Sequence, residues 1–166
     1  RQDQLILQMI NYMDSLLKNV HLDYEFTTYK VLATSKSDRF VEFVPNSKTI
    51  FDILKKYNNV ILSYYKVISE KNEERLKKYL DSYINSCAGY CVVTYILGIG
   101  DRHLENLMID NRGRLFHIDF GFILGKDPKP APPPIKLCQE MVECMGGKGS
   151  KRYEEFKQKC VNAYWV

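Results

Sequence analysis

Four side chains in one stretch of this sequence could share a reaction: Asp101, His103, Asn106 and Asp119. Transfer of a phosphoryl group from a nucleotide to a hydroxyl uses such a set. It needs a group to orient or deprotonate the incoming hydroxyl, and oxygen ligands for the magnesium ions that bridge the phosphates. Asn106 follows Asp101 by five residues, and Asp119-Phe120-Gly121 comes after a short intervening segment. A D-F-G triplet alone carries no information, and an Asp behind a loop glycine is often a helix cap. The ordered set is different, because each member supplies a part the others lack. An unperturbed imidazole titrates at about pH 6.5, so His103 suits the proton-accepting role. Asp101 could also accept the proton, or hold the loop and orient the hydroxyl; both assignments stay open at this level. His117 alternates with Phe116 and Ile118 and reads as a structural residue of a buried strand.

These residues need a frame. Leu5, Ile6, Met9, Ile10, Met13, Leu16 and Leu17 recur at three- and four-residue spacing, which predicts an amphipathic helix over the first eighteen residues. Residues 26–34 and 39–44 are β-rich runs around Ser35-Lys36-Ser37-Asp38, a hairpin signal, and Pro45 ends the second run. Thr49 can cap a short helix reaching Tyr57. A polar region follows, from which Lys71-Asn72-Glu73-Glu74-Arg75 opens a helix that grows steadily more apolar toward Leu97. Gly98 and Gly100 stop it just before Asp101-Arg102-His103, where a loop carrying reactive side chains belongs. Residues 107–110 and 114–118 flank Asn111-Arg112-Gly113, whose glycine offers the positive φ of a tight hairpin. Pro128, Pro130, Pro132, Pro133 and Pro134 then hold an extended loop, and helix resumes at Leu137 and at Ser150. The last four residues, Ala163-Tyr164-Trp165-Val166, read as helix still in progress.

The bulk composition narrows the class. A chain of 166 residues, 45% hydrophobic, has the size of one domain and can fill one core. Its net charge of +4 suits anionic partners but is small for a nucleic-acid binder, so none is expected. Five cysteines (Cys87, Cys91, Cys138, Cys144, Cys160) form an odd set that favours reduced thiols over a disulfide framework. Cys87 and Cys91 could share a helical face as metal ligands, yet no second ligand pair accompanies them. The longest apolar stretch, residues 87–100, is too short to cross a bilayer, so membrane contact is expected to be peripheral. Pro130-Ala131-Pro132-Pro133 matches a bare P-x-x-P pattern, but it lies embedded between candidate site elements. Beginning at Arg1 and ending in helix, the chain reads as part of something longer.

The offset of Asp101 to Asn106 equals that within the protein-kinase pattern H-R-D-x-x-x-x-N, with the first triplet inverted to Asp101-Arg102-His103. Residues 98–107 (GIGDRHLENL) followed by 115–121 (LFHIDFG) resemble the catalytic and activation-loop starts of the phosphatidylinositol 3- and 4-kinases. Residues 123–130 (ILGKDPKP) and 132–137 (PPPIKL) narrow the resemblance to class III 3-kinases. It extends from residues 1–5 through 29–34 and 86–91 to 145–147, and is weakest over 45–83. The resemblance implies an α+β, protein-kinase-like two-lobed fold, mainly the helical C-lobe with the end of the N-lobe, one helix and a β-hairpin. Residues 1–45 would then hold the N-lobe end and hinge, and 46–166 the C-lobe, with a catalytic loop at 98–107 and an activation loop at 119–141.

What the resemblance implies about function follows residue by residue. ATP with magnesium or manganese is the expected cofactor pair, with Asn106 and Asp119 as metal ligands. Asp3 becomes the acidic partner of an ATP-binding lysine that would precede Arg1, as would the loop covering the phosphates. Tyr29 walls the inner nucleotide pocket. Glu42, Phe43 and Val44 become the hinge whose backbone meets adenine, although Arg39-Phe40-Val41-Glu42 departs from the family's pattern there. The substrate loop carries Lys126, Lys129 and Lys136, scattered among prolines, without the dense basic cluster suited to ring phosphates. Unphosphorylated phosphatidylinositol is therefore the expected substrate and its 3-phosphate the product. A kinase-like regulatory subunit and a cytoplasmic place, peripheral on endosomal or autophagic membranes, are implied in membrane trafficking and autophagy. Two other readings stand beside this one: a phosphatidylinositol 4-kinase or related protein kinase, and an inactive binding fragment.

Overall fold

The computed structural model describes residues 2–35 and 38–166. It is mostly helical with two small sheets. Helix α1 (Gln2–Asn19) forms over the predicted span and buries Ile6, Ile10 and Leu17 of the expected face together with Leu7, while Leu5, Met9 and Leu16 stay exposed. Strands β1 (Val31–Ala33) and β2 (Arg39–Val41) pair antiparallel with Val31 opposite Val41. These strands are shorter than the runs 26–34 and 39–44 expected from β propensity. Phe26, Thr27 and Tyr29 are buried by packing and side-chain bonds instead: Tyr90 Oη donates to the Thr27 carbonyl and Thr27 Oγ1 to Asp110 Oδ2. Lys36 and Ser37, the middle of the expected turn, lie outside the described residues, as does Arg1.

Two elements are absent from the sequence reading. Strand β3 (Lys48–Thr49) pairs with β4 (Leu107–Ile109), which pairs in turn with β5 (Leu115–His117), all antiparallel. Helix α2 (Ile50–Lys56) follows, capped by Thr49 Oγ1, which accepts the Asp52 N–H. Helix α3 (Ile61–Ile68) then occupies much of the region read as polar. Its Ile61, Tyr64 and Tyr65 are buried at the i, i+3, i+4 spacing of one helical face. Tyr65 Oη donates to the Gly113 carbonyl at 2.8 Å, so the hydroxyl that makes this stretch look polar is satisfied inside.

Helix α4 (Glu73–Ile96) is the central support. Asn72 caps its N-terminus by accepting the Arg75 N–H, and Glu73 and Glu74 complement the dipole of the first turn. From Tyr83 to Thr94 it is buried on nearly every face, packed against β5, α3 and α6 (Lys151–Tyr164). Its end closes as a Schellman motif. Gly98 stands at φ 56, with its N–H on the Tyr95 carbonyl and the Ile99 N–H on that of Thr94. Residues 107–117 form the expected hairpin, with Gly113 at φ 83 in its turn. Asp110 stitches this turn, accepting the N–H groups of Arg112 and Arg114 and an ion pair from Arg114 Nη2 at 2.6 Å.

The proline-rich segment is irregular until α5 (Gln139–Cys144), two residues later than expected. Helix α6 begins on Ser150, which caps it, but stops at Tyr164, so the helix expected through Val166 does not extend that far. Cys87, Cys91 and Cys144 are buried in the core. Among the described residues, no helix is long and apolar enough to cross a membrane.

Candidate active site

The segment between α4 and β4 is held by the start of the loop that follows β5. Leu124 and Gly125 donate their N–H groups to the carbonyls of Leu97 and Gly98, and Gly100 donates to Phe122. The backbones can approach because residues 98 and 100 lack side chains. A Cβ at Gly98 would lie 2.5 Å from the Gly125 nitrogen, and one at Gly100 would collide with the Lys126 carbonyl. Gly98 and Gly100 therefore do more than end a helix. They admit the second loop onto the first.

Asp101 and Asp119 both adopt left-handed backbone, at φ 52 and φ 56. Such conformations cost a non-glycine residue roughly 1–3 kcal/mol and persist where neighbours over-determine them. Side chains grip both carbonyls: Asn106 Nδ2 donates to that of Asp101 at 2.8 Å, and Arg102 Nη2 donates to that of Asp119. Arg102 is buried and also donates to the carbonyls of Gly100 and Ile118, with its guanidinium 5.5 Å from the Phe120 ring centroid. Burial pushes its pKa down, while Asp119 and Asp101 nearby favour the charge. The sequence reading gave Arg102 no role. An arginine between two reactive residues reads as solvated, and no local signal marks carbonyls arriving from another segment.

Asn106 is tied to the far side of the site as well, its carbonyl accepting the Ile118 N–H at 3.0 Å. Asn106 and Asp119 thus stand at adjoining ends of β4 and β5. Because Nδ2 of Asn106 is donated to Asp101, the amide oxygen is the atom left to coordinate. Asp119 is exposed, and its Oδ1 accepts the Gly121 N–H at 3.2 Å. These two oxygens could hold magnesium, which keeps several waters and substrate phosphates in its shell. Among the described residues, no group of three or more His, Cys, Asp or Glu forms an all-protein metal cage.

His103 is partly exposed. Its Nδ1 accepts the Glu105 N–H at 3.3 Å and lies 3.8 Å from a Glu105 carboxylate oxygen. In a neutral ring so placed the proton resides on Nε2, and the lone pair on Nδ1. His117 is separate from these residues. It is buried and stacked on Tyr90 with ring centroids 4.7 Å apart.

A cleft of about 420 Å³ opens beside Asp119 and is lined also by Asp3, Tyr29, Arg39, Glu42, Phe43, Val44, Met108, Phe116 and Ile118. Every residue that the resemblance assigns to a nucleotide pocket borders it. Tyr29 is buried against Phe116, and burial, with Asp3 nearby, raises its hydroxyl far above the ordinary value. Glu42 is fastened to Lys30, donating its N–H to the Lys30 carbonyl and accepting the Lys30 N–H on Oε2. Phe43 is exposed, and Val44 is half-buried. Asp3 Oδ1 accepts the Phe120 N–H at 2.8 Å, and the cation facing Oδ2, also at 2.8 Å, is Arg39. Gln2 Nε2 reaches the carbonyls of Phe120 and Gly121, so α1 grips the D-F-G triplet directly.

The three lysines differ. Lys126 and Lys129 are exposed, whereas Lys136 is half-buried and its carbonyl lies against Cys91 Sγ on α4.

Known proteins share this sequence throughout. A phosphatidylinositol 3-kinase, nodule isoform, of Glycine max is 52% identical over 169 residues, covering 100% of this chain and 21% of that protein. Phosphatidylinositol 3-kinase VPS34 of Arabidopsis thaliana is 51% identical, covering 99% of this chain and 20% of that protein. VPS34 of Saccharomyces cerevisiae is 48% identical, with 100% and 19% covered. The chain thus spans about a fifth of the length of the curated relatives it matches. All 166 residues, 1–166, match the phosphatidylinositol 3- and 4-kinase family, and the chain belongs to it.

Proposed function

We propose that this chain is the phosphoryl-transfer region of a phosphatidylinositol 3-kinase, moving the γ-phosphate of ATP to the 3-hydroxyl of phosphatidylinositol. The observation that carries the reading is the bond between the Ile118 N–H and the Asn106 carbonyl, which ties Asn106 to the residue preceding Asp119, and Asp119 borders the cleft. The relatives' names supply the 3-kinase class. The cleft would take the nucleotide, with the 42–44 backbone as hinge and Tyr29 as its inner wall. Residues 1–45 and 46–166 correspond in this reading to the N-lobe end and the C-lobe, meeting at that cleft.

Asn106 and Asp119 would hold magnesium, which when bound neutralises charge on the transferred phosphoryl group. The protein's own groups do the rest. His103 takes the hydroxyl proton at Nδ1, exchanging its bond from the Glu105 N–H for the neighbouring Glu105 carboxylate, which stabilises the imidazolium. Asp101 shapes the loop and orients the hydroxyl. The 119–141 loop, with Lys126 and Lys129 exposed and without a dense basic cluster, faces an inositol lipid lacking ring phosphates. The working place is the membrane surface, endosomal or autophagic, with a kinase-like regulatory subunit.

The test assays the full-length protein on phosphatidylinositol, its 4-phosphate and its 4,5-bisphosphate side by side, with Asp119→Ala as control. Expected are a preference for the unphosphorylated lipid, product at the 3-position, and loss of turnover in Asp119→Ala without loss of fold. Near-normal phosphorylation by that variant would defeat the assignment.

A further inference from the structure

Asp127 lies in the loop assigned to the lipid, and nothing above gives its side chain a role. Its Oδ2 accepts the Asp101 N–H at 3.0 Å, and its Oδ1 accepts the Lys129 N–H at 2.8 Å. The first bond crosses from the lipid-facing loop to the reacting segment. The second fixes the carboxylate within its own loop. Those two N–H groups, from Lys129 and Asp101, hold the carboxyl below the usual carboxylate range. The space for it comes from Gly100, where a Cβ would stand 2.9 Å from Asp127 Oδ2.

Asp101 calls for such support, since it sits at φ 52 immediately before Arg102 and His103. Asn106 holds its carbonyl and Asp127 its N–H, so the strained peptide units are fixed on both sides.

We propose that Asp127 is a positioning residue for phosphoryl transfer: by holding the Asp101 N–H it sets the backbone from which Asp101, His103 and Asn106 project. Seating of the 119–141 loop is thereby coupled to the geometry of the reacting groups. The inference rests on the phosphoryl-transfer reading above. Asp127 itself touches no reactant, and a misplacement of about 1 Å near reacting groups can cost about a hundredfold in rate.

The test compares Asp127→Ala and Asp127→Asn in the full-length protein, the amide offering one oxygen where the carboxylate offers two. On phosphatidylinositol vesicles, kcat should fall about tenfold or more in Asp127→Ala, with the lipid KM changed by less than about threefold. ATP hydrolysis without lipid should fall in step, and the Asn variant should lie between. Hydrogen exchange of peptides covering 99–104 should accelerate while α4 stays protected. Should Asp127→Ala also unprotect α4, the Asn variant carries the same comparison. A raised lipid KM with kcat intact would make Asp127 an anchor of its loop only and overturn the proposal, as would unchanged exchange at 99–104. If the wild-type protein leaves phosphatidylinositol untouched, the functional reading fails, yet exchange and ATP hydrolysis still decide the role of Asp127.

Discussion

His103 and His117 sit in opposite surroundings, which decides what each can do. The His103 ring is partly exposed beside the Glu105 carboxylate, which suits the role proposed for it. His103→Gln should lower the single-turnover rate about a hundredfold while leaving ATP affinity nearly unchanged, because the imidazole acts on the hydroxyl. An unchanged single-turnover rate would move the role to Asp101. Burial, with the charge of Arg102 added, pushes the His117 imidazole well below its ordinary 6.5. The unfolded chain therefore binds a proton that the folded chain refuses. Its contribution to stability is intact above about pH 6.5 and is lost as pH falls, by up to about 1.4 kcal/mol per unit. Denaturant unfolding between pH 5 and 7 should show this slope, and His117→Phe should flatten it. At this scale residue type and spacing sufficed to nominate Asp101, Asn106 and Asp119 as candidates. The sequence was silent on Arg102 and Asp127, whose partners include backbone groups 16 and 26 positions away.

Among the elements, those with a strong repeat were readable. The span of helix α1 follows its apolar repeat, although Leu5, Met9 and Leu16 of that repeat are exposed; α4 follows its polar start and closing glycine, and the 107–117 hairpin its turn. The misses share a cause. Helix α3 hides its periodicity behind tyrosines, and β3 is two residues long, existing only because β4 offers an edge. The runs at 26–34 and 39–44 have β propensity, yet burial against α4 takes up the first of them. The junction of the 97–101 and 122–127 segments belongs to no standard element and is a close backbone contact. Gly100→Ala should therefore destabilise the fold by about 1–3 kcal/mol, since the added methyl meets a carbonyl that cannot swing aside. Denaturant midpoints would measure it, and an unchanged midpoint would mean that the two loops separate freely.

For the whole molecule, one cleft gathers residues from α1, both sheets and the D-F-G triplet, which no periodicity could foretell. The kinase family was legible through the resemblance carried by residues 98–107 and 115–121, and the chain is mostly helical with two small sheets. Lys126 and Lys129 are both exposed and flank Asp127, whose carboxylate bonds the Asp101 N–H. Each lysine near an anionic bilayer contributes on the order of 1 kcal/mol, screened within about a Debye length. Lys126→Ala with Lys129→Ala should therefore weaken phosphorylation of phosphatidylinositol in anionic vesicles at low salt and matter less at high salt. ATP hydrolysis without lipid should change much less. Parental rates across the salt series would remove the loop from substrate capture. Lys136, half-buried and with its carbonyl against Cys91 of α4, is expected to contribute less than either.

The thiols of the core make the protein a recorder of its own openings. Hydrogen bonding with Cys91 and burial raise the Cys87 thiol, burial raises that of Cys144, and burial lifts that of Cys160 to about 12. A thiolate is the species that alkylates, so these sulfurs are chemically silent at neutral pH while the fold is closed. A brief pulse of a small alkylating reagent should then mark the buried Cys87 and Cys144 only in molecules whose helical core has parted. The marked fraction would time that parting, and a bound nucleotide should slow the clock if the cleft and the helical core open together.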